Sequence, residues 1–174
     1  MDKYGLSTLQ IDDLMKGVPG YLGCFAHNQL AELPAMKPGQ SVIFNLEDSN
    51  QGGSHWVGAY CGKNYVEYFD SFGIPPDDRA LAYFRKSKKQ IEYNDSKIQG
   101  NKSNRCGLYA VGFIKMRASG LSDYASVYSY ILDPSKHNEL LCARFAGMKV
   151  LKNAVFSLYL KCRTQRSGLN PNRD

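Results

Sequence analysis

The sequence predicts an α+β fold: a mixed central β-sheet with a buried central helix packed on it and further helices around both. Three observations point there. Short β-rich runs fill the middle of the chain, helical patterns occupy its start and its C-terminal half, and one stretch beginning at Cys106 is apolar on nearly every side. The 174 residues suit a single domain spanning 1–174, long enough to bury a core without staples.

The elements follow in order. Ser7 to Met15 reads as a short helix: Ser7 is a capping residue, Gln10 stands three positions on as in a capping box, and Gly17, Pro19 and Gly20 stop it. Ser41 to Leu46 is a short apolar strand, and Glu47 to Ser54 is a polar, glycine-containing loop. His55 to Tyr60 and Tyr65 to Phe69 are two β-rich runs separated by Cys61-Gly62-Lys63-Asn64, a hairpin signal. Asp77 caps a helix through Ala80, Leu81, Tyr83 and Phe84, and Gln90 to Tyr93 returns to strand. From Cys106 the pattern Leu108, Tyr109, Val111, Phe113, Ile114, Met116 marks the central buried helix. Ser122 to Leu132 and Lys149 to Cys162 read as two more helices.

Composition excludes several classes. Apolar residues make up 43% and charged residues 22%, a globular balance rather than that of a disordered chain or a fibre. No run approaches the roughly 20 apolar residues of a membrane helix, and Met1 to Gly5 lacks the apolar core of a secretory signal, so a non-secreted protein is expected. The five cysteines (Cys24, Cys61, Cys106, Cys142, Cys162) form no CxxC pair, which argues against a zinc clip or disulfide framework and for free thiols in a reducing compartment. The net charge of +6 is concentrated in two clusters. One comprises Arg85, Lys86, Lys88, Lys89, Lys97, Lys102 and Arg105; the other runs from Lys149 through Lys152, Lys161, Arg163 and Arg166 to Arg173. Such clusters are either solvated surface or a docking face for a polyanion, and with no base-reading motif any DNA binding is non-specific and salt-sensitive.

One cysteine stands out chemically. Cys106 opens the most buried helix, where the positive end of the helix dipole favours thiolate, and Gly107 beside it has no side chain to block an approaching substrate. The other four have no such setting: Cys24 falls in an apolar loop, Cys61 at a turn, Cys142 and Cys162 on late helices. A nucleophilic thiol needs a base, and there are three histidines. His27 and His137 fall in polar connections, whereas His55 opens a strand after Gly52-Gly53-Ser54 and precedes Trp56, the single tryptophan. Asp70 ends the partner strand. In an antiparallel hairpin the start of one strand lies beside the end of the other, so His55 and Asp70 are expected to be neighbours, the carboxylate fixing the imidazole's tautomer. Gln99, seven residues before Cys106 and joined to it by a loop, offers an amide donor for a developing oxyanion, together with a backbone N–H at the helix start. Separately, each has an ordinary structural role open to it; jointly they supply nucleophile, base, orienter and oxyanion donor for acyl transfer.

The segments Gly53-Ser54-His55-Trp56, Phe69-Asp70-Ser71-Phe72-Gly73, Ile98-Gln99-Gly100 and Arg105-Cys106-Gly107-Leu108 resemble the adenain-like cysteine proteases. These are the maturation proteases of adenoviruses and of related large DNA viruses, virophages and virus-like transposons, in a clan shared with the SUMO-deconjugating proteases. The order His, acid, Gln, Cys-Gly is that clan's, and the resemblance spans roughly residues 20 to 113. It implies Cys106 as nucleophile, His55 as general base, Asp70 as its partner (a glutamate in the adenovirus enzyme) and Gln99 as oxyanion donor. It also implies Gly53, Trp56, Phe72 and Gly107 as substrate-binding residues, with Trp56, Phe72 and Tyr109 as candidate walls of a narrow, glycine-selective cleft. The implied activity is endoproteolysis of viral capsid and core precursors, in the virion and the infected cell, by a monomer that requires no cofactor and is open to stimulation by DNA or a viral peptide. The chain has no cysteine from Ser71 to Ile98, which argues against a disulfide-tethered peptide at that place. Three other readings stand beside this one: a ubiquitin- or SUMO-like modifier deconjugase, an acetyltransferase using coenzyme A, and a non-enzymatic basic scaffold for nucleic acid.

Overall fold

The structure, a computed structural model, describes residues 5–120. The two helices expected at Ser122 to Leu132 and Lys149 to Cys162, the residues Cys142, Cys162 and His137, and the C-terminal basic cluster lie outside the described residues.

The described elements run Thr8–Leu14 (α1), Tyr21–Phe25 (β1), a 3-10 helix His27–Glu32, Ser41–Asn45 (β2), Trp56–Cys61 (β3), Tyr65–Phe69 (β4), Asp78–Arg85 (α2), Gln90–Tyr93 (β5) and Cys106–Ala118 (α3). The strands form one mixed sheet in the order β1-β2-β3-β4-β5. The β2–β3 and β3–β4 pairs are antiparallel; the outer pairs, β1–β2 and β4–β5, are parallel. The α+β class expected from the sequence is the observed one.

The alternation of side chains along the strands divides the core in two. Val42, Phe44, Val57, Ala59, Val66 and Tyr68 face one side, where Leu30 of the 3-10 helix and Ala80, Tyr83 and Phe84 of α2 cover them. Ile43 and Phe69 face the other, packed with Ile11 and Met15 of the N-terminal segment and with Tyr109, Val111, Phe113 and Ile114 of α3. Phe69 and Phe113 stack at 4.8 Å between ring centroids. Gly58 brings α3 close: a Cβ there would lie 3.4 Å from Phe113 and 3.5 Å from Ile114. Each fully buried large apolar side chain contributes about 1.5–3 kcal/mol, so α3 is held by its whole circumference. A buried bidentate pair fastens its C-terminal end, Arg117 Nε donating to Glu67 Oε2 at 2.6 Å and Nη2 to Oε1 at 2.8 Å, with the guanidinium over the Tyr60 ring.

Local signals explain the ends. Ser7 accepts from Gln10 N while the Gln10 side chain accepts from Ser7 N, a complete capping box at α1. Asp77 caps α2 by accepting from Ala80 N at 2.9 Å. Two expectations are corrected. Cys24, expected in a loop, lies in β1, a strand that pairs parallel and so carries no hairpin signal. His27, also expected in a loop, starts the 3-10 helix and is buried, with Nε2 3.1 Å from Asp77 Oδ1. Among the described residues no helix is long and apolar enough to cross a membrane, and no group of His, Cys, Asp and Glu has the arrangement of a metal site.

Candidate active site

β3 and β4 are paired antiparallel with Gly58 opposite Phe69, so the residue before β3 and the residue after β4 emerge at one end of the hairpin. These are His55 and Asp70. His55 Nε2 lies 2.8 Å from Asp70 Oδ1, and both residues are buried. The carboxylate is itself fixed: Oδ1 also accepts from Phe72 N at 2.6 Å, and the Asn94 side chain brackets the Asp70 backbone, accepting from its N–H at 2.9 Å and donating to its C=O at 2.5 Å. On the imidazole face lies Phe72, stacked at 4.7 Å, and Lys97 Nζ sits 4.7 Å from the centre of the Phe72 ring.

α3 begins at the same end of the sheet and presents Cys106 as its first residue. The thiol is buried at the mouth of a cleft of about 720 Å³ whose lining includes His55, Trp56, Phe72, Gln99 and Cys106. His55 Nδ1 is buried without a hydrogen bond of standard geometry, yet His55 and Cys106 are close enough to govern each other's ionisation. Loose contacts of this kind are usual before substrate binds. Burial works against the imidazolium, but Asp70 and then Cys106 outweigh it and raise the His55 pKa to about 9. Burial likewise works against the thiolate, but His55 and the backbone of Trp56 and Gly107 bring Cys106 below the ordinary thiol value. The pair therefore favours thiolate and imidazolium. The two other described cysteines go the opposite way: burial and the nearby Asp12 push Cys24 up to about 12, and burial pushes Cys61 up. Of the three, Cys106 alone has its thiol pKa lowered, the direction that raises thiolate content.

Gln99 is anchored by contacts that fix which end of its amide is nitrogen. Oε1 accepts from Ser71 Oγ at 2.6 Å, and Nε2 donates to Ser103 O at 2.7 Å. Ser71 O in turn accepts from the backbone N–H of both Ile98 and Gln99. The residue after Asp70 thus locks the amide into the cleft that holds Cys106, and an NH₂ group has a second hydrogen for an incoming oxygen. The backbone N–H groups of the first turn of α3, which lack intrahelical acceptors, begin beside that cleft.

Of the substrate-binding expectations, Trp56 and Phe72 are half-buried and line the cleft, and Gly53 lines it from an exposed position at φ 77°. Gly107 is corrected in its reason. It is buried, and a Cβ there would meet Leu6 Cβ at 3.1 Å and Trp56 Cδ1 at 3.3 Å. What the glycine admits is the N-terminal segment and the indole, which are tied together by Trp56 Nε1 donating to Leu6 O at 2.8 Å. Tyr109 is corrected as a wall: it is fully buried in the α3 core and does not line the cleft. The central basic cluster is partly committed internally, with Lys86 donating to Ala31 O and Leu33 O, Lys89 to Gly62 O and Lys63 O, and Lys97 to Asn101. Sequence reasoning missed Asn94, Ser71 and Leu6. Asn94 follows β5, whose register places it beside the end of β4, but a parallel edge strand leaves no turn from which to read that register.

No protein-family model matches the sequence, and no curated protein matches it significantly. Solved structures do. The crystal structure of ASFV pS273R protease aligns with a TM-score of 0.54 at 15% identity, covering 86% of this chain and 69% of that one. Its selenomethionine form aligns with a TM-score of 0.41 at 19% identity, covering 64% of this chain and 45% of that one. At 15% identity the first likeness is one of fold.

Proposed function

We propose that this chain is a cysteine endopeptidase that processes viral capsid and core precursor proteins, as a single protease domain of the adenain-like kind. The single observation that carries the reading is the buried line Asp70–His55–Cys106 at one end of the sheet, in which His55 lowers the thiol pKa and Asp70 and Cys106 raise that of the imidazole. The fold likeness to ASFV pS273R protease supports the same reading.

The chemistry follows from the geometry. The Cys106 thiolate attacks the scissile carbonyl carbon, and the carbonyl oxygen becomes an oxyanion stabilised by Gln99 Nε2–H and a backbone N–H at the start of α3. The oxyanion collapses, the C–N bond breaks, and His55 gives its Nδ1 proton to the departing amine. Water then loses a proton to His55 and attacks the thioester carbon, the C–S bond breaks, and the acid leaves as the thiolate and imidazolium are regenerated. Asp70 holds Nε2–H throughout, so it is Nδ1 that exchanges protons. Trp56, Phe72 and Gly53 shape the cleft, Gly107 seats the indole of Trp56 beside it, and the resemblance favours glycine at the scissile bond. DNA is the proposed stimulating partner, held non-specifically by exposed basic residues such as Arg85, Lys88 and Lys102. The virion and the infected cell are the proposed setting.

The test sets wild type beside Cys106→Ala on recombinant capsid precursors and a Gly-centred peptide library, with and without DNA. Cleavage by wild type alone supports the reading; equal cleavage by both refutes the nucleophile. A full-length ubiquitin-like modifier hydrolysed far better than its own C-terminal peptide would replace it with a deconjugase.

A further inference from the structure

Asn45 ends β2 directly opposite Trp56 across the β2–β3 pair, and so stands on the sheet face that carries Trp56, next to the base. It is only 5% exposed, yet it lines the same cleft as Cys106. Its oxygen is fully defined: Oδ1 accepts from Glu47 N at 3.0 Å and from Ser54 N at 3.1 Å. Those two N–H donors leave no ambiguity about the amide's orientation, because the flipped amide would set donors against donors. Nδ2 therefore points the other way, towards Gly53; the side-chain hydrogen bonds of Asn45 among the described residues all use Oδ1, and Nδ2 is not among the fully enclosed polar atoms, so it opens to the cleft. Once a peptide displaces water from the cleft, an amide N–H there loses free energy unless the peptide supplies an acceptor. Gly53 keeps the route open, since a Cβ at that position would lie 3.1 Å from Nδ2.

We infer that Asn45 is a substrate-binding residue whose Nδ2–H donates to a main-chain carbonyl of an extended peptide lying in the cleft. A peptide carbonyl fits best: it is the acceptor every substrate carries irrespective of side chains, and glycine at position 53 leaves room for a backbone to approach. The same side chain, through Oδ1, pins both ends of the 47–54 loop, so the loop and the peptide are registered by one residue. This inference rests on the peptidase reading but is tested separately from it.

Asn45→Asp keeps an acceptor for Glu47 N and Ser54 N and replaces the donor with oxygen, so the loop is preserved while the peptide contact is lost. Two quantities are read on wild type and N45D: the pH profile of Cys106 alkylation by iodoacetamide, and steady-state cleavage of a Gly-Gly peptide together with analogues in which one carbonyl at a time is a thioamide, a weaker acceptor. The expected result is an unchanged plateau rate of alkylation (the new carboxylate shifting only its midpoint), a rise in KM of about 10-fold or more with little change in kcat, and loss in N45D of sensitivity to one particular thioamide position. An unchanged KM overturns the inference, and so does a lowered plateau rate of alkylation, which would mark Asn45 as structural only. If wild type cleaves no peptide, the peptidase reading fails, and protection of Cys106 from iodoacetamide by the same peptides decides this one: weaker protection in N45D sustains it, equal or absent protection ends it.

Discussion

His55 Nε2 and Asp70 Oδ1 lie 2.8 Å apart although fifteen residues separate them in the chain. The hairpin between them is what brings them together, and the buried carboxylate favours the charged imidazole. Asp70→Asn removes the negative charge that sustains the imidazolium. With the His55 pKa raised to about 9, the wild-type profile of kcat/KM falls on the alkaline side near pH 9, where the leaving amine loses its proton donor, and on the acid side below the lowered thiol pKa. In D70N the alkaline limb moves down towards the ordinary imidazole value. A pH–rate series on both proteins checks this, and an unmoved limb would show that Asp70 does not sustain the imidazolium.

Gln99→Ala should lower kcat by about 10²–10³-fold with KM nearly constant, because the proposed mechanism has the amide act on an oxyanion that exists only along the reaction path. Ser71→Ala, which removes the hydroxyl donating to Gln99 Oε1, should give a smaller loss of the same kind. Steady-state kinetics on one peptide distinguishes this from a binding role, where KM would rise instead.

Much of this site was legible in the residues. The antiparallel hairpin announced itself through its turn, and that turn placed His55 against Asp70. The run from Cys106 was too apolar on all sides to be anything but a central helix, which put the thiol at its start. What was not legible depended on parallel pairing or on distant chain. Tyr21–Phe25 lacks strict alternation and has no turn to its partner, so β1 was missed and Cys24 misplaced. Asn94 reaches Asp70 only through the parallel β4–β5 register. The packing of Leu6 on Gly107 joins residues a hundred positions apart, with no local pattern to signal it.

Gly107→Ala forces that contact apart. The new methyl meets Leu6 at 3.1 and 3.2 Å and Trp56 at 3.3 Å, so the N-terminal segment or the indole must shift. A loss of about 1–3 kcal/mol is expected, with faster proteolysis ahead of α1. Urea unfolding and limited proteolysis read both, and unchanged values would mean the neighbours give way freely.

Glu67→Ala leaves the buried Arg117 guanidinium without its carboxylate and should destabilise the fold by about 3–5 kcal/mol. The paired replacement Glu67→Met with Arg117→Met should recover much of that loss. Chemical denaturation of the three proteins checks it, and a loss below about 1 kcal/mol for the single variant would place the pair among weak surface bridges.

The central claim is that Cys106 attacks a peptide carbonyl with His55 as its base, and covalent capture tests it most directly. A Gly-Gly peptide vinyl sulfone is incubated with wild type, Cys106→Ala and His55→Ala, and the adduct is located by peptide mass mapping. The account predicts a single adduct on Cys106 Sγ in wild type, none in C106A and a much slower one in H55A. An adduct on Cys24 or Cys61, or labelling of Cys106 that proceeds at the same rate without His55, would contradict it.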